Sequence, residues 1–239
     1  MNTIIREVVS LSESAIKEMY ALHSRHFDND DFSRFSADLS EKQWVVIVES
    51  EGHAITGFST VQELVLESSG TSAAFMFSGD TIVDPSAWGA NALVPGLALF
   101  IRRFIDRHPD VPCYWFLICK GFRTYRCLPL FFKRFVPCCD RRTHPDESRI
   151  LDLVARHKFG PRYNGETGII SHEQPRDFLN NALRQVSGDR AGNAHVRFFL
   201  ERNPEWVRGD ELACLAELSD GNLRPGALRV IEAGRRCVR

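Results

Sequence analysis

The chain has 239 residues, 44% of them hydrophobic and 26% charged, with a formal net charge of −1. This is the make-up of an ordinary globular protein whose core needs no metal or disulfide staple. Near-neutral charge gives no global pull towards nucleic acid or anionic membrane, no apolar run reaches the length of a membrane span, and the start MNTIIREVVS lacks a signal-peptide apolar region, so the expected location is the cytoplasm.

The spacing of apolar residues predicts a helix over residues 12–27, opened by Ser12 and Glu13, and a second over 30–43 with Phe32, Phe35 and Leu39 on one stripe. WVVIVES, residues 44–50, is a continuous apolar run, as expected of a central strand buried on both faces. Residues 54–68 read as its antiparallel partner, and a turn at 68–71 leads into a strand around 75–83. An apolar helix over 89–107 follows, then the strand VPCYWFLICK and a helical segment with Pro129 inside it. Residues 138–239 are richer in Pro, Gly and Arg, with shorter elements. Helices are expected over 146–160, 177–186 and 226–236, and two strands around an Asn203-Pro204 turn.

The strand at 75–83 runs through a short turn carrying Gly89 and Asn91 directly into a helix. Such a junction presents bare backbone N–H groups at the positive end of a helix dipole and suits a phosphate-bearing ligand. With period two, Ser78 and Asp80 share one face of this strand with Met76 and Ile82. A carboxylate there is costly to desolvate, which raises its pKa towards that of a useful general base unless a partner pairs with it. Asp80 therefore reads as a base or as the partner of an arginine such as Arg102, Arg103 or Arg123. Glu63, on the preceding strand, is a second carboxylate candidate or an exposed strand-end glutamate. Lys120 ends an apolar strand, where open α/β sheets place ligands. With Arg123 it could neutralise a phosphate or acidic partner, or it could lie along the sheet edge.

The segment Val83-Asp84-Pro85-Ser86-Ala87-Trp88-Gly89-Ala90-Asn91-Ala92-Leu93 resembles the valine-x-proline lead-in and pyrophosphate loop of the GNAT superfamily of N-acyltransferases. Residues 114–135 resemble that family's fifth strand and fourth helix. The resemblance covers residues 12–137, and the overall shape is similar to the fatty-acyl-transferring branches that carry a C-terminal extension. It implies an α/β fold, a GNAT-like central mixed β-sheet flanked by helices, with an α+β extension packed on it. Residues 1–137 would be the acyltransferase core, and 138–239 would contribute to the acyl or acceptor pocket. It implies a donor, acyl-CoA or acyl carrier protein, held along Ile82, Val83, Trp88, Gly89, Ala90, Asn91, Lys120 and Arg123, with no tightly bound cofactor. It implies an amine acceptor, a small molecule or peptide, with Asp80, Ser78 and Glu63 as catalytic candidates and Tyr125 as the nearest tyrosine to a general acid. Trp88, Asn91 and Leu93 depart from the family pattern, so a binding module that kept the fold without the chemistry is the alternative.

His23 and His26 lie one helical turn apart without an evident third ligand, and His172 and His195 are candidates to reach the acceptor pocket. Tyr163 lies in a Gly-containing loop that lines a pocket or simply turns the chain. Phe131, Phe132 and Phe135 read as core or as the wall of an acyl tunnel. The seven cysteines form no CxxC pair, and Cys138–Cys139 is either an incidental or a redox-active vicinal pair. No Cys/His set shows zinc-ligand spacing, so no metal is expected.

Overall fold

The structure, a computed structural model, describes residues 2–68, 70–85, 87, 93–172, 177–186 and 192–237. An edge strand, β1 (Asn2–Glu7), precedes the first predicted element. None of its residues is fully buried, and its half-buried Thr3, Ile4 and Ile5 are consecutive, so no alternating apolar signal marks it. Helix α1 (Glu13–Ser24) begins where Ser12 Oγ accepts the Ala15 N–H, and it buries Met19, Leu22 and His23. The two-residue strand β2 (Phe27–Asp28) leads to α2 (Phe32–Ser40), which is capped by Asp31 through the Arg34 N–H. Strands β3 (Trp44–Glu49), β4 (Ile55–Ser68) and β5 (Thr71–Val83) follow, then α3 (Leu93–Arg107) and β6 (Cys113–Cys119). Short helices α4 (Phe122–Tyr125) and α5 (Cys127–Phe131) lead to α6 (Pro145–Phe159). That helix opens on a capping box between His144 and Glu147 and ends at Gly160, whose φ of +56° a side chain would strain.

The C-terminal part adds β7 (Tyr163–Asn164), β8 (Ile169–Ile170), β9 (Phe178–Leu179) and α7 (Asn181–Arg184). Next come α8 (Ala194–Arg202), β10 (Glu211–Glu217) and α9 (Pro225–Cys237). Residues 194–202 are thus a helix, not the strand predicted, because Asn193 Oδ1 caps the N–H groups of His195 and Val196 and the buried Val196 and Phe199 recur at helical spacing.

The strands form a mixed eight-stranded sheet in the order β1-β3-β4-β5-β6-β10-β8-β7, and β2 pairs with β9 separately. Every pairing is antiparallel except β5 with β6. The sheet is flanked by helices on both faces, the α/β architecture predicted. On one face Val46, Val48, Val61 and Met76 pack with Phe100 and Phe104 of α3. On the other, Val45, Ile47, Phe58 and Ile82 pack under α1 and α2, and Phe75, Phe77 and Phe116 pack under α6. Among the described residues no helix is long and apolar enough to cross a membrane.

One irregularity sets the chemistry. β4 and β5 pair continuously from Ser68↔Thr71 to Val61↔Ser78, and the next pair is Ser59↔Thr81. Two steps along β4 thus oppose three along β5. An extra residue in a strand turns its alternation over. Ser78 and Asp80 therefore do not point together as period two predicted. Ser78 stays on the α3 face, while Asp80 and Ile82 cross to the face of Phe77.

Candidate active site

The α1–α2 pair and α6 cover the same face of the sheet but leave a gap between them. A cleft of about 330 Å³ fills that gap, floored by Phe77, Asp80 and Ile118. The parallel ladder of β5 with β6 ends at Ser78↔Leu117, so the cleft opens where the two strands stop pairing. This is the carboxyl end of the parallel strands, where open sheets bind ligands. Gly79 at the bulge is required by space: a Cβ there would lie 2.6 Å from Thr60 Oγ1 and 2.9 Å from Lys42 Cε.

Asp80 is the centre of a charged cluster. His23 Nε2 lies 4.0 Å from Asp80 Oδ1 and 4.0 Å from Asp177 Oδ2, and His23 Nδ1 lies 3.6 Å from Asp30. The imidazole is buried and stacked on Phe27 at 4.5 Å between ring centres. Lys120 Nζ bonds Asp177 Oδ2 at 2.5 Å and approaches Glu211 Oε1 at 3.6 Å. His172 Nε2 stands 3.8 Å from the other oxygen of Glu211. Burial pushes the Asp80 carboxyl up to about 6; Asp38 adds to the rise, His23 and Lys120 oppose it, and Asp177 adds a smaller push. Burial alone would raise Asp177, but the Lys120 ammonium holds it below the usual carboxylate range. Lys120 is the mirror case: burial lowers it, and Glu211 and Asp177 more than offset that.

Two further contacts close the cleft. Lys158 of α6 bonds Glu41 beyond the end of α2, across the mouth. The pairing of Phe27 with Leu179 in the β2–β9 ribbon ties α1 to the segment that carries Asp177. Phe159, Arg162, His172, Asp177, Leu179 and Glu211 bring the C-terminal half into the lining.

The other sequence candidates lie elsewhere. Ser78 Oγ accepts the Trp115 indole N–H at 2.8 Å on the opposite face. Glu63 is bound to Arg107 and lies 3.6 Å from His108 Nε2, beyond the cleft lining. Tyr125 is buried, and its hydroxyl donates to the Pro137 carbonyl at 2.9 Å. Burial pushes that phenol far above its ordinary value, with no donor role in the cleft. Arg123 bonds the carbonyls of Leu183 and Gln185, fastening the α7 segment. Ile82 is core, Val83 ends β5, and Trp88, Gly89, Ala90 and Asn91 lie outside the described residues. Leu93, which departs from the family pattern, is buried in the core. Phe132 and Phe135 are core, Phe131 packs against it, and Tyr163 donates to Asp152 at 2.7 Å.

Asp38, Asp177 and Glu211 had no signal in the sequence, since no spacing links them to Asp80. His195 lies away from the cleft, beside Cys138, Cys139 and Asp140.

No protein-family model matches the chain, and no curated protein sequence matches it. Among solved structures it is similar to a conserved Enterococcus faecalis protein of unknown function, a probable N-acyltransferase, at 14% identity and a TM-score of 0.42, over 56% of this chain and 33% of that one. It therefore spans about a third of that protein's length. It is also similar to a GNAT family N-acetyltransferase from Escherichia coli in complex with CoA, at 11% identity and a TM-score of 0.38, over 53% of this chain and 67% of that one. A third is the ribosomal-protein-S18-alanine N-acetyltransferase from Escherichia coli, at 12% identity and a TM-score of 0.42, over 91% of this chain and 94% of that one.

Proposed function

We propose that the chain is an N-acyltransferase that moves an acyl group from a coenzyme A or carrier-protein thioester to an amine. The observation that carries this reading is Asp80: a carboxylate raised to about 6, placed beside His23 and Lys120 in the cleft where β5 and β6 part. An ammonium acceptor must lose a proton before it attacks a thioester, and a base with a pKa near 6 takes it without holding it too firmly. The amine nitrogen then bonds the carbonyl carbon, the C–S bond breaks, and the proton the nitrogen sheds as the amide forms passes through water to the leaving thiolate.

The acceptor side is acidic. Asp30, Asp31, Asp38 and Glu41 line the α1–α2 wall; Asp38 pairs with Lys42 and Glu41 with Lys158, so Asp30 and Asp31 are the carboxylates that would draw in a cation. Phe77, Phe159 and Ile118 offer an apolar surface to an acyl chain, so a fatty acyl donor belongs to the proposal. Beyond Ser78 the β6-facing edge of β5 is outside the parallel ladder, and its backbone N–H groups are the donors for the thioester oxygen.

The test is a panel of acetyl-, octanoyl- and palmitoyl-CoA with a polyamine and an N-terminal peptide amine, read by thermal shift and free-thiol release. A donor at a hundred times its dissociation constant would add about 2.7 kcal/mol of stability. Thiol release that needs both donor and amine, and that falls in Asp80→Asn, supports the reading. Binding without turnover would leave a module that kept the fold and lost the chemistry.

A further inference from the structure

Away from the cleft, the segment leaving the sheet after Val136 meets the first turn of α8. Cys138, Cys139, Asp140 and His195 converge there, each offering an atom within 4.8 Å of the others. We propose that these four residues bind a Zn²⁺ ion that pins α8 to the sheet.

The spacing of the ligand atoms is compact enough for a closed four-ligand site. Zinc ligands at about 2.0–2.3 Å from the metal stand roughly 3.3–3.8 Å from one another. Cys139 Sγ already lies 3.2 Å from His195 Nδ1 and 3.1 Å from Asp140 Oδ1. The widest pair needs to close by only about 1 Å to reach that spacing. His195 Nε2 lies 3.5 Å from Asp140 Oδ2, which keeps the carboxylate beside the imidazole.

The ring is also held from behind. Phe135 and Tyr125 pack on it at 5.9 and 6.4 Å between ring centres, and Asn193 Oδ1 accepts the His195 backbone N–H. Two sulfurs and an imidazole select zinc over magnesium or calcium, which prefer oxygen. Spacing could not reveal this set, because His195 comes from a separate helix while the other three are consecutive. None of the four lines the cleft, so the ion's role is to hold the fold.

The test uses the full chain, reduced and stripped with a chelator, and titrated with Co²⁺. The expected result is a sulfur-to-cobalt charge-transfer band with the intense visible bands of tetrahedral cobalt, both bleached by Zn²⁺. Alkylation followed by peptide mapping should then show Zn²⁺ protecting Cys138 and Cys139 while Cys127 reacts equally with and without it. Cys139→Ser and His195→Gln should weaken Co²⁺ binding at least tenfold. The absence of the charge-transfer band on the unaltered chain, protection mapping to other cysteines, or undiminished binding in His195→Gln would each overturn the proposal. The first two readouts need no variant, so they decide the matter even where a substituted chain misfolds.

Discussion

His23 Nε2 of α1 stands 4.0 Å from Asp80 Oδ1 of β5, across a cleft that neither element forms alone. The imidazole reaches Asp80 only because the bulge at Gly79 turns the carboxylate onto the face that α1 covers. Position and electrostatics of the base therefore share one cause.

The rate of acyl transfer should rise from acid to neutral pH as Asp80 loses its proton at about 6. In Asp80→Asn, kcat/KM should fall by about 10²–10⁴-fold, as for loss of a general base, and the limb near that pH should vanish. A pH profile of both proteins checks this, and an unchanged limb in the variant would assign it to another group.

Neighbouring charges should move that limb in opposite directions. Lys120 lowers the Asp80 pKa, so Lys120→Met should shift the limb to higher pH; Asp38 raises it, so Asp38→Asn should shift it lower. Lys120→Met also leaves Asp177 and Glu211 uncompensated, at a cost of about 3 kcal/mol. Profiles and denaturant melts of the two variants measure both effects.

The same carboxylate should cost stability. Its folded value, about 6, exceeds the unfolded 3.8, so the folded state holds the proton more firmly. No penalty exists below the unfolded value; it grows as pH rises between the two and is constant above the folded one. Asp80→Asn should therefore stabilise the protein at neutral pH, by at most about 3 kcal/mol, and by nothing below about pH 4. The side chain is 24% exposed, so solvent screening brings the gain below that ceiling. Denaturant melts across pH give the answer.

Tyr125→Phe removes one buried hydrogen bond, from the hydroxyl to the Pro137 carbonyl. It should lower stability by about 1 kcal/mol and leave acyl transfer intact. A large loss of kcat with little loss of stability would return this phenol to the chemistry.

Much of the frame was legible because its signals are local. The unbroken run of β3 announced burial on both faces, and Ser12 and Gly160 marked helix ends. Asp80 and Lys120 could be singled out because each is a charge at an apolar strand. What was hidden depends on register and on distant pairing. An extra residue in β5 separates Ser78 from Asp80, and its local mark, Gly79 inside an apolar strand, is overridden by a plain period-two reading of FMFSGDTIV. Asp177 and Glu211 join the cleft only through the β2–β9 ribbon and the placement of β10. His195 sits in a stretch, HVRFFL, whose short apolar run imitates a strand, and the sign of a helix there is its cap, Asn193.

The placement of β10 has one more consequence. Residues 211–217 fill the slot between β6 and β8, and they pair with Leu117 and its neighbours along β6. Until that late stretch leaves the ribosome, the apolar β6 has a bare edge, open to pairing with another chain. A fragment cut at residue 137 would keep that edge permanently. Among the described strands, the last one made is thus the one that shields the first half from aggregation.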